Sequence, residues 1–248
     1  MTKEYRKPDS IPFETNCTRC DIGREKGNDK KCTAVGGAGP QDLSQVRLIV
    51  ISDHAGWYEE QEGVPFVHKQ EFMKRQGKKN IDPIRNAGAI LRDMLHEIFG
   101  LDTYQEVYMT NVLKCNPAKV TPVDRHYRIC SSWMESEFLV LDEHRPEVPI
   151  LIAGARATKV LHRTFPDFKE GKNGINYLRR RDDVKIRNHP AIFTFNPAQV
   201  ARSEPRIETV ANTKNKRVKD SDWMYPPLPG SPTDIMIRDL EYLASYLS

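Results

Sequence analysis

The chain has 248 residues, 38% of them hydrophobic and 29% charged, with a formal net charge of +4. That length suits one large domain or two small ones, and it can bury a core without a disulfide scaffold. No apolar run reaches the length of a membrane span, and the polar stretch Met1–Ser10 lacks a signal-peptide core. A monomer in a reducing, cytoplasmic setting, with no membrane contact, is expected; the net charge alone says little about partners.

The first 45 residues are polar and broken by Gly and Pro, an irregular lead-in. Val46–Ile51 is a continuous β-branched run, expected as a strand buried on both faces that ends in the loop Ser52–Gly56. Residues 67–86 are polar and basic. Ala87–Phe99 carries helical spacing through Ile90, Leu91, Met94, Leu95 and Ile98, with Gly100 as its stop. Val107–Leu113 reads as a second strand. Thr121-Pro122-Val123-Asp124 reads as the capped start of a helix running to about His144. Val148–Ala153 is a third strand, followed by Gly154 and a short helix through Leu161. Val184–Asn188 is expected as a fourth strand running into His189-Pro190. The stretch after Gln199 is polar and basic until an amphipathic helix over Ile235–Leu247. This alternation predicts a three-layer α/β/α sandwich around a central, mainly parallel sheet of about four strands. Sites in such sheets lie at the carboxyl ends of strands. Asp53, Asn111 and His189 are all expected there.

The five cysteines are Cys17, Cys20, Cys32, Cys115 and Cys130. An odd count without an export signal argues against a disulfide framework. Cys17 and Cys20 form a C-x2-C pair, and Cys115 and Cys130 form a second pair joining a strand end to a helix. Two pairs point to a four-thiolate site, iron–sulfur or zinc, that would pin the polar N-terminal segment to the sheet. Cys32 is left over.

Several separate motifs together resemble the uracil-DNA glycosylase superfamily, in particular its iron–sulfur group, usually called family 4. Cys17 and Cys20 match that group's N-terminal Cys-x2-Cys. Ser52-Asp53-His54-Ala55-Gly56, through Glu59 and Glu60 to Gly63-Val64-Pro65-Phe66-Val67, resembles its first motif. Asn111-Val112-Leu113-Lys114-Cys115-Asn116-Pro117 resembles its Asn-Val-x-Lys-Cys-x-Pro. Cys130 stands for the fourth cysteine, and His189-Pro190-Ala191 resembles the late His-Pro-Ser.

The resemblance implies a monofunctional DNA glycosylase that flips out a pyrimidine nucleotide and hydrolyses its N-glycosidic bond. It assigns Asp53 to orient the attacking water and stabilise the cation-like sugar, and His189 to donate to O2 of the departing base. Phe66 would stack on the base, Asn111 would read its edge, Glu59 would lie near C5, and backbone N–H groups of the loop at Gly56 would assist. Phe193 would act as a wedge in the base stack. Lys74, Arg75, Arg85 and Arg187, within basic segments flanking the site, would contact phosphates. Cys17, Cys20, Cys115 and Cys130 would hold an iron–sulfur cluster, [4Fe–4S] ahead of zinc.

Residues 1–200 are expected as the glycosylase-like domain. Residues 201–248 are expected as a basic extension ending in a helix packed on it. Three departures stand out: Asp53 replaces the usual Glu, His54-Ala55 replaces a small residue and Pro, and a basic insertion over residues 68–86 follows Val67. Two substrates fit: uracil, meaning repair, or a bulkier modified pyrimidine of phage DNA, meaning antiviral defence. A non-catalytic iron–sulfur DNA-binding module is the alternative, with a zinc-bound nucleotide hydrolase behind it.

Overall fold

The sheet begins where the β-branched run begins. Leu48 to Ile51 are all buried in β1 (Leu48–His54), and the strand continues three residues further than the apolar pattern, so that Asp53 lies within it. The computed structural model describes residues 7–23, 33–79, 85–117, 120–165, 175–179, 181, 183–203 and 230–247. After β1 come α1 (Trp57–Glu62), α2 (Lys69–Arg75), α3 (Ala87–Phe99), β2 (Val107–Leu113), α4 (Asp124–His144) and β3 (Ile150–Ala153). Then follow α5 (Ala155–Thr164), α6 (Ile175–Leu178), β4 (Lys185–Ile186), β5 (His189–Thr194), α7 (Pro197–Ser203) and α8 (Pro232–Leu247). Cys32 and most of the basic stretch 201–219 lie outside the described residues. Among the described residues, no helix is long and apolar enough to cross a membrane.

The strand order is β2-β1-β3-β5-β4, five strands rather than about four. The first four run parallel, and β4 pairs antiparallel with β5. Strand alternation sorts the core into two layers. Ile49, Ile51, Ile150, Ile152 and Phe193 pack toward α4 and α5, whereas Leu48, Val50, Leu151 and Ile192 pack toward α3 and α8. The helix expected over Ala87–Phe99 forms with those bounds and stops at Gly100 in the left-handed conformation.

The fourth strand differs from expectation. Val184–Asn188 supplies only the two-residue β4 and a turn in which Arg187 has φ 55°; the long strand is the following run, His189–Thr194. Pro190 near its start has no N–H to give, a position strands tolerate. His189 therefore opens a strand instead of following one.

The N-terminal segment is tied to the free edge of β2. Val35 N–H donates to the Lys114 carbonyl at 2.7 Å, and Ala38 pairs with Met109 through two backbone hydrogen bonds. Beneath this contact lies a buried ion pair. Lys114 Nζ donates to both oxygens of Glu137 at 2.7 Å and also to Thr110. Glu137 takes further hydrogen bonds from Thr110 Oγ1 at 2.9 Å and from the Gly37 N–H at 3.1 Å. Every acceptor site of that carboxylate faces a donor, which is what makes a buried pair tolerable.

Removing one partner leaves the other charge buried and unpaired. Glu137→Gln is expected to destabilise the protein by roughly 3–5 kcal/mol in urea unfolding. The double variant Lys114→Met/Glu137→Leu should recover most of that loss. A single variant within about 1 kcal/mol of wild type would contradict the assignment.

Candidate active site

The carboxyl ends of β1, β2, β3 and β5 meet in one register row: Ser52 lies opposite Asn111 and Ala153, and Ala153 lies opposite Thr194. Residues in one row share a face. Ser52 and Asn111 therefore face the α3 layer, and Asp53, one step on, turns toward α5.

Asp53 is anchored through both oxygens. Oδ1 accepts the Ala157 N–H at 2.7 Å, capping the first turn of α5, and Oδ2 accepts Asn196 Nδ2 at 3.0 Å. The same amide nitrogen lies 3.3 Å from Ser52 Oγ, while Asn196 Oδ1 accepts the Ala198 N–H at the start of α7. The carboxylate and the amide crowd Gly154, at φ 115°. A Cβ there would stand 3.0 Å from Asp53 Oδ1 and 3.3 Å from Asn196, so only glycine fits. Burial raises the pKa of the Asp53 carboxyl; the Ala157 N–H, His54, Asn196 and Arg156 pull it back in part. Asp53 keeps partial exposure. A carboxylate has room for more than two hydrogen bonds, so it can still hold a water.

The second group lies on the α3 face. Phe66 is buried and has φ 54°, a strained conformation for a residue with a large side chain. Both of its peptide groups are pinned. Its N–H donates to Glu59 Oε1, and its carbonyl accepts Arg92 Nε at 2.7 Å. Arg92 is itself buried, bonded to the Thr103 carbonyl at 2.9 Å and lying over the Tyr104 ring. The other Glu59 oxygen takes the Gly56 N–H. Glu59 is thus the strut of the loop between Asp53 and Phe66. Burial of its carboxyl raises the pKa to about 7 despite the two N–H groups, Arg92 and Asn111. Asn111 is buried, and its Nδ2, directed at Glu59 closely enough to lower that pKa, forms no hydrogen bond of good geometry among the described residues.

A family model described as the uracil DNA glycosylase superfamily matches residues 40–223. The chain belongs to this superfamily. Comparison with curated proteins returns no match.

The carboxyl edge of the sheet thus gathers Asp53, Gly56, Glu59, Phe66 and Asn111. Four expectations need correction. His189 has no exposed surface and lies at the opposite, amino edge. Its Nδ1 is 2.7 Å from the Val148 carbonyl and its Nε2 is 2.7 Å from Asp142 Oδ1. The residue that follows the last parallel strand is Asn196, in Asn196-Pro197-Ala198. Phe193 is core, buried against the α4 and α5 layer, and offers no wedge. Arg187 is ion-paired with Asp142 beside His189, away from the site. The Gly56 N–H, expected to assist the departing base, is committed to Glu59.

The other cations are mixed. Lys74 is exposed, Arg75 pairs with Glu62 at 2.7 Å, and Arg85 lies 3.4 Å from Asp93. Arg179, just after α6, is held by Asp239 through two contacts of 2.7 Å.

Sequence reasoning missed Asn196, Gly154 and Arg92. The signal for Asn196 was present: the run Ala191–Thr194 precedes Asn196-Pro197, just as β1 precedes its loop.

The four cysteines meet elsewhere. Cys17, Cys20, Cys115 and Cys130 line one small hollow with Arg19, Lys114 and Trp133, and none of the four is in a disulfide. Cys115 and Cys130 are buried. The Lys114 N–H lies 3.3 Å from Cys130 Sγ, and burial pushes the Cys130 thiol up to about 11. Among the described residues, no three His, Cys, Asp or Glu are arranged to hold a metal ion.

Between the ordinary Glu value of 4.5 and about 7, folded Glu59 keeps a proton that the unfolded chain has lost. The stability it contributes is full below about pH 4.5 and is lost as pH rises to about 7. Urea midpoints followed across that window should fall in the wild type and fall distinctly less in Glu59→Gln. Parallel pH profiles would show that Glu59 does not titrate as its burial requires.

Proposed function

We propose that this superfamily member is a DNA glycosylase that releases a pyrimidine base by hydrolysis and leaves an abasic site. One observation carries the reading. At the carboxyl edge, the buried amide of Asn111, whose Nδ2 makes no well-formed hydrogen bond among the described residues and acts on Glu59 only electrostatically, lies opposite Ser52, one residue from the partly exposed Asp53. A buried donor without a well-formed hydrogen bond has room for a ligand acceptor.

The flipped base lies against Phe66, and its carbonyl oxygen accepts from Asn111 Nδ2. Asp53 holds a water against C1′ of the sugar. As the N-glycosidic bond breaks, its electron pair leaves on the base, where Asn111 stabilises the charge. The water oxygen bonds C1′ and its proton passes to Asp53. Burial makes Asp53 a stronger base than an exposed carboxylate. Asn196 acts through Asp53 as a positioning residue, since its amide donates to Oδ2. Lys74, at the exposed end of α2, is a contact for the phosphate backbone.

The hollow supports the finer, iron–sulfur reading. Four thiols, the donor set such a cluster takes, come from the N-terminal segment, from α4 and from the residues after β2 and line one hollow, with one backbone N–H 3.3 Å from a sulfur. When bound, a [4Fe–4S] group would cross-link that segment to the sheet edge; no chemistry at Asp53 depends on it.

Duplex oligonucleotides carrying uracil, plain thymine, hydroxymethylated or glucosylated pyrimidines separate repair from defence against modified phage DNA. At least one arm other than plain thymine should accumulate abasic sites, with Asp53→Asn at least about 100-fold slower. Purified protein should carry iron and sulfide, both lost in Cys130→Ser. No abasic site on any of these DNAs would overturn the glycosylase reading in favour of a DNA-binding module.

A further inference from the structure

The first residue of α1, directly after Gly56, is Trp57, and it is 56% exposed. A single exposed aromatic is ordinary, but this one is braced. Its ring stands edge-on to Tyr58, with centroids 5.0 Å apart at 83°, and to Phe72 of α2, 6.2 Å apart at 82°. Tyr58 and Phe72 close the triangle at 5.5 Å. Phe72 is in turn buried with Val64 and Val67, on either side of Phe66. The exposed indole is therefore fixed to the same loop that carries the proposed base pocket.

The surroundings are cationic. Past Phe72 come Lys74, Arg75, Lys78 and Lys79, all exposed. The nearby acids are engaged: Glu62 with Arg75, Glu60 with Asn116, Glu71 with Tyr104 and Glu59 with backbone N–H groups. A rigid aromatic beside exposed cations suits a nucleobase stacked on the ring with its phosphates on the lysines.

We propose that Trp57 is a stacking platform for an unpaired nucleobase next to the flipped nucleotide, and that α2, within the insertion after Val67, exists to brace it. This rests on the glycosylase reading for its partner, DNA, but not for any chemical step.

The test uses the full chain and a fluorescein-labelled 15-nucleotide oligothymidylate, which offers bases to stack and none to excise. Trp57→Ala should weaken binding about tenfold or more with an unchanged salt slope, because the phosphate contacts remain. Trp57→Phe should stay within about threefold, and the control Leu139→Ala, equally exposed on α4, within about twofold. In wild-type protein, radical footprinting should find Trp57 protected by the oligonucleotide, a readout that does not depend on any variant folding. Trp57→Ala binding within about twofold of wild type, or an unprotected Trp57, would overturn the proposal. Protection of Trp57 without abasic sites on any DNA would instead refute the glycosylase reading alone.

Discussion

Two hydrogen bonds to one carboxylate set the geometry of this protein's working edge. Asp53, the penultimate residue of β1, caps α5 through the Ala157 N–H and is clamped by the Asn196 amide beyond β5. Three consecutive parallel strands are thereby fixed to one another at their carboxyl ends. Gly154 is what permits the approach, since any side chain there would strike the carboxylate. A cap is often the whole purpose of an acid at a strand end. Here the carboxylate keeps partial exposure and a raised pKa, so the proposed base is the same group that caps α5. The cap supplies the rigidity that a water-orienting carboxylate requires.

A second constraint holds the rest of the chain to this sheet. Lys114 acts through three parts. Its ammonium pairs with Glu137, its carbonyl receives Val35, and its N–H points at Cys130. One residue thus connects the ion pair under the sheet, the N-terminal segment at its edge and the cysteine hollow. The same logic recurs at Phe66, where Glu59 and Arg92 hold both flanking peptide groups and so maintain a backbone conformation that a free loop would leave.

Much of the fold was legible because its periodicity is strong. The apolar run at Val46–Ile51 and the spaced apolar residues of Ala87–Phe99 identified β1 and α3, and Gly100 marked the helix end. The site at β1 and β2 followed from them, because residues after buried parallel strands face the crevice. The last strand was misplaced for a physical reason. Val184–Arg187 alternates apolar and basic residues as a strand does, Ala191–Thr194 is a short apolar run, and the turn between them contains no glycine, since Arg187 itself adopts the left-handed conformation. His189-Pro190 drew attention as a chemical pair, yet it lies before the longer run, not after it. Phe193 went with it: a residue inside a central strand is core. Arg92 was invisible, because an arginine on the apolar face of a helix shows no periodic signal; its role is to satisfy carbonyls that only the folded loop brings near. The cysteine spacing was legible because metal-type motifs are short-range, and their convergence on one hollow required the long-range docking of the N-terminal segment.

The central claim is that the carboxyl edge is the working edge, with Asn196, and not His189, supporting Asp53. Single-turnover base release by folded Asn196→Ala and His189→Gln, on whichever DNA the wild type acts upon, tests it most directly. The account predicts a loss of about 100-fold or more in Asn196→Ala, and a His189→Gln protein that melts at lower temperature yet reacts within a few-fold of wild type. The reverse pattern, with His189→Gln inactive while folded and Asn196→Ala near normal, would contradict it.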